Sequence, residues 1–355
     1  ARLVKWLKRS EKIRAVLICQ RDGLSSKFLN ESFDEVIVFR NEYHLFRILK
    51  NFKDKNVFVH AFGPKTFYAD KARVFLKKKM IYDMQDVLCI YYGLNTDISW
   101  FRKEFPHEKN LLSLSDGLVS HGMEPIAATK IYGIGKRPPT LYFPLCCDND
   151  FFCNNSKLFS HDDIHLVYAG EIMGAFRDSR QFGNVQFHWL IEELSKQRLH
   201  FHVYPSPASP PSIYEEYEAV ARQNPFFHLH KPVAQSELAK EMSAYHFGII
   251  PFFKTNTGQS DEKYKYSTAL KLFNFMEAGI PVLISNDIEF QKWLALRYGS
   301  GLGIARNDIS RLRIILEGVD YNKMVSNLLK GRKIISLSRN IGKLIGFYNK
   351  IGGRQ

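Results

Sequence analysis

Residues 266–285 predict a helix that runs directly into a buried strand, and no other stretch of the chain constrains its fold as strongly. Ser267 or Thr268 stands where a side chain caps the start of a helix. Gly279 provides a left-handed residue that ends the helix, and a proline two positions later prevents its continuation. Residues 282–284 are apolar, as in a strand buried on both faces of a parallel sheet. The stretch therefore predicts a helix-strand unit of an α/β fold.

Short apolar segments and amphipathic segments alternate through both halves of the chain. The predicted strands are residues 13–19, 34–39, 56–60, 80–86, 164–170, 200–204, 226–232 and 245–251. The predicted helices include residues 42–51, 186–197, 214–223, 235–244 (capped by Ser236) and 322–350, whereas 255–265 are interpreted as a mobile polar loop. Because this alternation is typical of doubly wound sheets and 355 residues are long for one core, two domains are expected, with a linker at 148–162.

Polar residues and glycines follow the predicted strands of the first half at the points where these strands end. In doubly wound sheets, ligands bind outside the carboxyl ends of the strands. The residues expected to face one cleft are therefore Gly23, His60, Gly63, Asp83, Gln85 and Asp86. The chain has no Gly-x-Gly-x-x-Gly after its first predicted strand, which counts against a nicotinamide or flavin dinucleotide enzyme.

The charge of the chain calls for an anionic partner. The formal net charge is +14 and the sequence pI is about 9.4. Phosphorylated small molecules and an anionic membrane surface are both candidates, whereas no nucleic-acid-binding signature is found and nucleic acid is not expected. Residues 2–9 place Leu3, Trp6 and Leu7 among cations, which predicts either an interfacial helix on anionic lipid or a solvated leader helix.

Other features of the sequence indicate a cytoplasmic protein without a metal. No window approaches the roughly 20 apolar residues of a membrane span, and no signal-peptide pattern is found. Five cysteines do not form a disulfide framework, which favours a reducing compartment. No Cys or His spacing matches a zinc site, and most histidines are interpreted as surface or core residues without chemistry. The expected location is the cytoplasm, with peripheral attachment to the inner membrane face as the second alternative.

Residues 271–282 resemble the donor-binding segment of GT-B glycosyltransferases, whose usual form is Lys-Leu-Phe-Glu-Tyr-Leu-Ala-Ala-Gly-Xaa-Pro-Val. The matching residues are Lys271, Leu272, Phe273, Ala278, Gly279, Pro281 and Val282. Asn274 takes the place of the acidic residue that holds the nucleotide ribose in many relatives. Tyr266 takes the place of the first glutamate of the Glu-x7-Glu pattern in retaining enzymes.

The resemblance implies an α/β fold of two Rossmann-like doubly wound domains that face a cleft. It places an acceptor-side domain at residues 1–150 and a nucleotide-sugar donor domain at 151–330. Residues 331–355 are then a helix that crosses back toward the first domain.

The resemblance also implies where the donor binds. The candidate donor-binding residues are Gly170, Glu171, Arg177, Lys231, Pro232, Tyr266, Ser267, Thr268, Lys271 and Asn274. Lys271 and the helix start with Ser267 and Thr268 are suited to the leaving diphosphate, because cations and N–H groups stabilise its growing charge. Helix capping with a surface lysine is the plain alternative. Ordinary turns are the alternative for the Gly170 loop and for Lys231.

Residues 82–86, Tyr-Asp-Met-Gln-Asp, resemble the Tyr-Asp-x-His-Asp of the same enzymes, with Gln85 where relatives often carry histidine. Since glutamine cannot act as a base, the first candidate for the catalytic base is Asp86 and the second is His60. A retaining enzyme in which the leaving phosphate assists is the other possibility. Asp83 and Asp86 are also suited to capping a helix or satisfying loop N–H groups.

The function implied by the resemblance is a metal-independent glycosyltransferase. It moves a sugar from a UDP- or GDP-linked donor to a glycan or a lipid-linked acceptor, with no cofactor beyond the donor substrate. Two alternatives stay open. One is a nucleotide-sugar epimerase of the same fold, and the other is a catalytically silent binding module, suggested by the neutral residues at Tyr266 and Asn274.

Overall fold

The computed structural model describes residues 1–20, 26–154, 159–207, 209–254 and 258–353. The chain divides into two compact units, Ala1–Pro144 with the chain from Leu337 onward, and Leu145–Ser336. The division thus falls a few residues before the expected boundary at 150/151, and the tail that belongs to the first unit begins at Leu337, not at residue 331. None of the helices in the described ranges is both long and apolar enough for a membrane span.

The first unit alternates helices and strands and ends with the C-terminal helix. Its helices are α1 Arg2–Ser10, α2 Ser26–Ser32, α3 Glu42–Lys50, α4 Thr66–Leu76, α5 Cys89–Tyr92, α6 Ser99–Leu114, α7 Glu124–Ile131 and α17 Leu337–Gly352. Its strands are β1 Val16–Gln20, β2 Glu35–Phe39, β3 Val59–Phe62, β4 Met80–Met84, β5 Gly117–Ser120 and β6 Thr140–Tyr142.

The second unit has the same alternation. Its helices are α8 Ser179–Phe182, α9 His188–Lys196, α10 Pro211–Gln223, α11 Leu238–Met242, α12 Asp261–Tyr266, α13 Leu270–Ala278, α14 Glu289–Arg297, α15 Leu312–Glu317 and α16 Tyr321–Ile334. Its strands are β7 His165–Gly170, β8 His200–Pro205, β9 Phe227–Leu229, β10 Phe247–Ile250, β11 Val282–Ser285 and β12 Gly301–Ile304.

The sheets of both units are parallel. In the second unit the order is β12-β11-β10-β7-β8-β9. Counted from β7, this is the 3-2-1-4-5-6 order of a doubly wound Rossmann sheet. In the first unit, β1 pairs with β2, and a second sheet has the order β3-β4-β5-β6. Within each of these sheets, the carboxyl ends of all strands therefore lie at the same edge, where ligands bind in doubly wound sheets.

The first-unit sheet is covered partly by the C-terminal helix. A Cβ on Gly117 at the start of β5 would lie 3.0 Å from Phe347 and 3.1 Å from Ile351 of α17. Leu7 of the basic helix α1 is buried, and α1 packs on α17. Part of the apolar face of the cationic helix α1 is therefore buried against the rest of the unit.

The segment 266–285 forms a helix and a strand, as expected, but the helix begins later than expected. Helix α13 starts at Leu270 with Ala269 at its N-cap and no side-chain cap, so the prediction of a Ser267 or Thr268 cap is wrong. The cause is α12, which ends at Tyr266 and uses the Ser267 hydroxyl to donate to the Lys263 carbonyl. Gly279 ends α13 with φ +77°, which confirms the predicted stop.

Three other expectations about local structure were wrong. Ser236 does not cap α11, because this helix begins at Leu238 after Glu237. Part of the loop expected at 255–265 is helix α12, while residues 255–257 lie outside the described residues. The tail expected as one helix is divided into α16 and α17 because the Ile335 carbonyl accepts a hydrogen bond from the Cys147 N–H instead of continuing the helix.

Two helix glycines are expected to respond oppositely to alanine. In Gly331→Ala, the new Cβ would meet the Tyr298 carbonyl oxygen and lie 2.9 Å from Tyr298 Cβ, so the free energy of unfolding should fall by about 1–3 kcal/mol. In Gly346→Ala, the methyl group meets nothing within 4 Å, so this free energy should rise by about 0.5–1 kcal/mol. Urea denaturation of the full chain measures both, and equal signs would contradict the packing at Gly331.

Candidate functional site

The centre of the second-unit sheet is its topological switch point. β7 and β10 are neighbours there, and the strand order continues from them in opposite directions. The chain leaves β7 at Gly170 and leaves β10 through Pro251 and Phe252. Ligands of such sheets bind in the crevice outside the carboxyl ends at this point. Any group held between these two exits is therefore a candidate ligand contact.

Lys271 lies at this switch point. Its Nζ is 5.5 Å from the ring centroid of Tyr168 on β7 and 5.2 Å from that of Phe252 after β10. A Cβ added to Gly170 would lie 2.5 Å from Lys271 Cε and 2.9 Å from Nζ. Gly170 also has φ +144°, which L side chains rarely adopt. Glycine is therefore required at this position for two reasons. Its φ angle disfavours other residues, and a Cβ would clash with the Lys271 side chain.

The start of α13 adds hydrogen-bond donors next to this lysine. The helix has no side-chain cap, so its first N–H groups are not satisfied by a capping oxygen. Thr268 Oγ1 is a buried atom without a hydrogen-bond partner among the described residues. The preceding turn is held by Gln291, whose Nε2 donates to the Ala269 carbonyl at 3.2 Å. A lysine, a helix N-terminus and a hydroxyl together suit an anion.

The loop after β7 displays the other candidates of this region. Glu171 is exposed, and its carbonyl accepts from the Tyr168 hydroxyl at 2.8 Å. Arg177 is exposed as well, and its guanidinium lies over the rings of Phe176 and Phe182, at 5.9 and 5.6 Å. The Arg177 carbonyl accepts a hydrogen bond from Gln186 Nε2 at 2.9 Å. This contact holds the backbone of the loop and leaves the Arg177 side chain unconstrained by it.

The remaining donor-side candidates are divided between exposed and engaged positions. Lys231 and Pro232 are exposed after β9, and Tyr266 is half-buried at the end of α12, under the Lys265 ammonium. Asn274 is only 7% exposed, and its Oδ1 accepts from Gln235 Nε2 at 3.4 Å. The structure thus places the Lys271 side chain against Gly170, whereas the Asn274 side chain is engaged with Gln235.

A buried carboxylate joins two histidines at the carboxyl edge of the first-unit sheet. Asp83 on β4 contacts His60 Nε2 at 2.9 Å through Oδ2 and His121 Nε2 at 2.7 Å through Oδ1. The other ring nitrogen of His121 contacts the Phe143 carbonyl at 2.7 Å, and that of His60 contacts the Tyr348 hydroxyl at 2.5 Å. Both histidines therefore use both ring nitrogens within the protein.

The charges of this cluster support one another. Burial alone would raise the pKa of Asp83, but the charge and hydrogen bonds of His121 and His60 outweigh it and lower the pKa well below its usual range. Burial likewise opposes a charge on His121, yet the Asp83 charge and hydrogen bond raise its pKa. The cluster is a buried ion pair that fixes the ends of β3, β4 and the chain after β5.

Asp86, the first candidate base, lies outside this cluster. It is exposed, has φ +53° and accepts a 2.6 Å hydrogen bond from the Tyr91 hydroxyl through Oδ1. Burial and the nearby Asp86 charge raise the pKa of Tyr91, so this hydroxyl keeps its proton. His60, the second candidate base, belongs to the cluster, and Gly23 lies outside the described residues.

His121 was not predicted from the sequence as a site residue. It follows directly after strand β5, and the other candidates were sought at such strand ends.

The sequence and the structure of the chain were compared with those of known proteins. Residues 183–343 match the family model described as glucosyltransferase 3-like, C-terminal domain. No curated protein sequence matches the chain. Sucrose-phosphate synthase from Thermosynechococcus elongatus is similar in structure, with a TM-score of 0.68, 12% identity and coverage of 99% of this chain and 92% of its own.

Two other solved structures are similar over nearly the whole chain. Anabaena HepE in complex with UDP-glucose has a TM-score of 0.66 and 12% identity, covering 98% of this chain and 95% of its own. A putative UDP-N-acetylglucosamine 2-epimerase from Listeria monocytogenes has a TM-score of 0.60 and 11% identity, covering 98% and 92%. Because these sequence identities are low, the structural similarity establishes the fold of the chain and not its activity. The chain has the GT-B fold of two Rossmann-like domains, and the predicted fold class is confirmed.

Proposed function

We propose that the protein is a glycosyltransferase that takes a sugar from a nucleotide-diphosphate donor, with UDP as the first nucleotide to test. The observation that carries the proposal is the Lys271 ammonium held against Gly170 at the switch point of the second-unit sheet. The match of residues 183–343 to a glucosyltransferase domain supports it. So does the UDP-glucose bound to the similar HepE structure.

The proposed chemistry needs stabilisation of the departing diphosphate. Negative charge grows on the phosphate oxygens as the sugar leaves, and positioned cations and N–H groups stabilise it most when their geometry is set in advance. Lys271 supplies the cation, and the start of α13 with the Thr268 hydroxyl supplies donors. These groups make the site suitable for transfer without a metal, which is part of the proposal.

Base and ribose recognition is assigned to the exposed residues around this anion site. Glu171, Arg177, Lys231 and Pro232 are exposed at or beyond the carboxyl ends of β7 and β9. Asn274, in contrast, is engaged with Gln235. The donor contact that an acidic residue makes in relatives therefore has to come from another side chain.

The acceptor side of the proposal rests on the first unit. Asp86 is the exposed carboxylate near the end of β4 and remains the first candidate base. His60 would have to release Tyr348 or Asp83 before accepting a proton, since both ring nitrogens are engaged. A glycan or lipid-linked acceptor, and contact of the basic helix α1 with an anionic membrane, stay predictions.

A nucleotide screen tests the donor assignment. UDP, GDP and CMP at millimolar concentration are added to the full chain and thermal unfolding is recorded. A diphosphate at tenfold its Kd should stabilise the protein by about 1.4 kcal/mol, whereas CMP should have a smaller effect because it lacks the second phosphate. No shift with UDP or GDP would contradict the donor site.

The epimerase is the second candidate, supported by the similar structure of a putative 2-epimerase. Incubation of the protein with UDP-sugars, with no acceptor present, separates the two functions. An epimerised nucleotide sugar found by NMR would favour the epimerase. Slow release of UDP and free sugar, without an epimer, would favour the transferase.

A further inference from the structure

One face of the second-unit sheet carries a row of histidines that the donor site does not use. His165 on β7 is in register with His200 on β8, and His202 is in register with His228 on β9. Because side chains alternate along a strand, His200 and His202 point to the same face. His230, directly after β9, extends the row. The sheet thus brings together residues that are far apart in sequence.

The end of this row has the donor set of a metal site. Asp163 Oδ1 lies 2.7 Å from His165 Nε2 and 3.6 Å from His200 Nε2. One ligand atom from each residue lies within 4.8 Å of the other two. Ligand atoms bonded to Zn²⁺ at about 2.0–2.1 Å in a tetrahedron are roughly 3.3 Å apart, so small shifts of the side chains suffice. The carboxylate side chain is 54% exposed, which leaves the position open to solvent.

A second set of histidines orients the two imidazoles. His165 Nδ1 is 2.7 Å from His202 Nε2, and His200 Nδ1 is 2.9 Å from His228 Nε2. The row continues from His202 Nδ1 to His230 Nε2 at 3.0 Å. With the inner nitrogens bonded in this way, both Nε2 atoms face Asp163. Metal-ligating histidines characteristically have such a partner on the second nitrogen, which fixes the ring and its tautomer.

The contacts of the row fit one arrangement of the ring protons. When the Nδ1–H of His165 donates to His202 Nε2 and the Nδ1–H of His200 donates to His228 Nε2, both Nε2 atoms present their lone pairs toward Asp163. A cation at that position then meets two imidazole nitrogens and one carboxylate oxygen.

We propose that Asp163, His165 and His200 bind a divalent transition-metal ion, with Zn²⁺ as the preferred ion and water at the fourth position. Two imidazoles and a carboxylate are ligands that Zn²⁺ accepts, and three protein ligands are sufficient for a bound ion.

The place of the site in the fold indicates its role. His165 and His200 begin their strands, whereas Gly170 and Lys271 lie at the carboxyl edge of the same sheet. The metal is thus at the edge opposite the donor residues and takes no part in sugar transfer. It would tie the segment before β7 to the sheet and stabilise the second unit. This proposal does not rest on the proposed function.

Zn²⁺ binding to the full chain, purified without a polyhistidine tag and treated with chelator, tests the site. Titration against a chromophoric zinc chelator should show one ion per chain at micromolar or tighter Kd, and Zn²⁺ should raise the Tm. Asp163→Asn should weaken binding at least tenfold, because it removes the charged ligand from an exposed position. His200→Gln should have a similar effect.

The matched control is His188→Gln, which removes a histidine whose Nε2 lies 2.8 Å from Glu216 Oε1 in the same unit, away from Asp163. This variant should bind Zn²⁺ as the unchanged protein does. Circular dichroism and the Tm in chelator establish that each variant is folded. Absence of a bound ion in the unchanged protein would overturn the proposal. Wild-type affinity in Asp163→Asn, or an equal loss in His188→Gln, would also overturn it.

Discussion

Replacing Lys271 with methionine should abolish most of the UDP-induced rise in Tm. Methionine keeps a long apolar side chain between Tyr168 and Phe252, so the packing beside Gly170 is retained while the ammonium is lost. A hydrogen bond to a charged phosphate contributes about 1.5–3 kcal/mol, and the Kd for UDP should therefore rise by roughly 10- to 150-fold. Calorimetric titration of UDP into the full chain measures this change.

The control for Lys271→Met is Lys323→Met, the same substitution at an exposed position of α16 in the same unit. This variant should bind UDP with unchanged affinity. Thermal unfolding without nucleotide shows whether either variant loses stability on its own. If Lys271→Met binds UDP as tightly as the unchanged protein, the ammonium does not contact the phosphates and the proposed site is wrong.

The second large effect is expected from Asp83→Asn in the first unit. Asp83 is the shared partner of His60 and His121, and an amide cannot accept from both histidines and also neutralise a charge. Removal of one partner from a buried ion pair costs about 3–5 kcal/mol. Urea denaturation near pH 6 should show a loss of this size. Asp54→Asn, at an exposed position of the same unit, is the control and should change the free energy of unfolding little.

The pH dependence of this loss follows from the two pKa shifts. The raised pKa of His121 gives stability that is present below the ordinary value of 6.5 and is lost as the pH rises through the folded value. The lowered pKa of Asp83 gives stability that is present above 3.8 and is lost as the pH falls through the folded value. The difference between the unchanged protein and Asp83→Asn should therefore be largest between these values and shrink at alkaline pH. A difference that stays constant from pH 5 to 9 would contradict a charged pair.

Much of the architecture was accessible from local patterns. Gly279 and the apolar residues after it predict where α13 ends and β11 begins, since a left-handed glycine and a proline leave the backbone few alternatives. The start of α13 was predicted less well. Ser267 is a good capping residue in isolation, but the preceding residues form α12 and the hydroxyl is used there. Competition between neighbouring elements decides such boundaries, and it is not visible in a short window.

The sites depend on contacts that span long distances in sequence. Lys271 was found from a motif, but its placement against Gly170 depends on the order of the strands in the sheet. His121 joins Asp83 only because β4 and β5 are adjacent. Asp163 and His200 meet through the register of β7 with β8. Such groupings follow from strand pairing, which the periodicity of a single strand does not determine.

Photolabelling with an azido derivative of UDP-glucose tests the central claim most directly. The full chain is irradiated with the probe, digested, and the labelled peptides are identified by mass spectrometry, with and without excess UDP. We expect UDP-protected labels in peptides that contain residues 168–177, 229–235 or 264–275, around Gly170 and Lys271. Protected labels confined to other parts of the chain, or no label that UDP prevents, would contradict a nucleotide-sugar site at the switch point of the second unit.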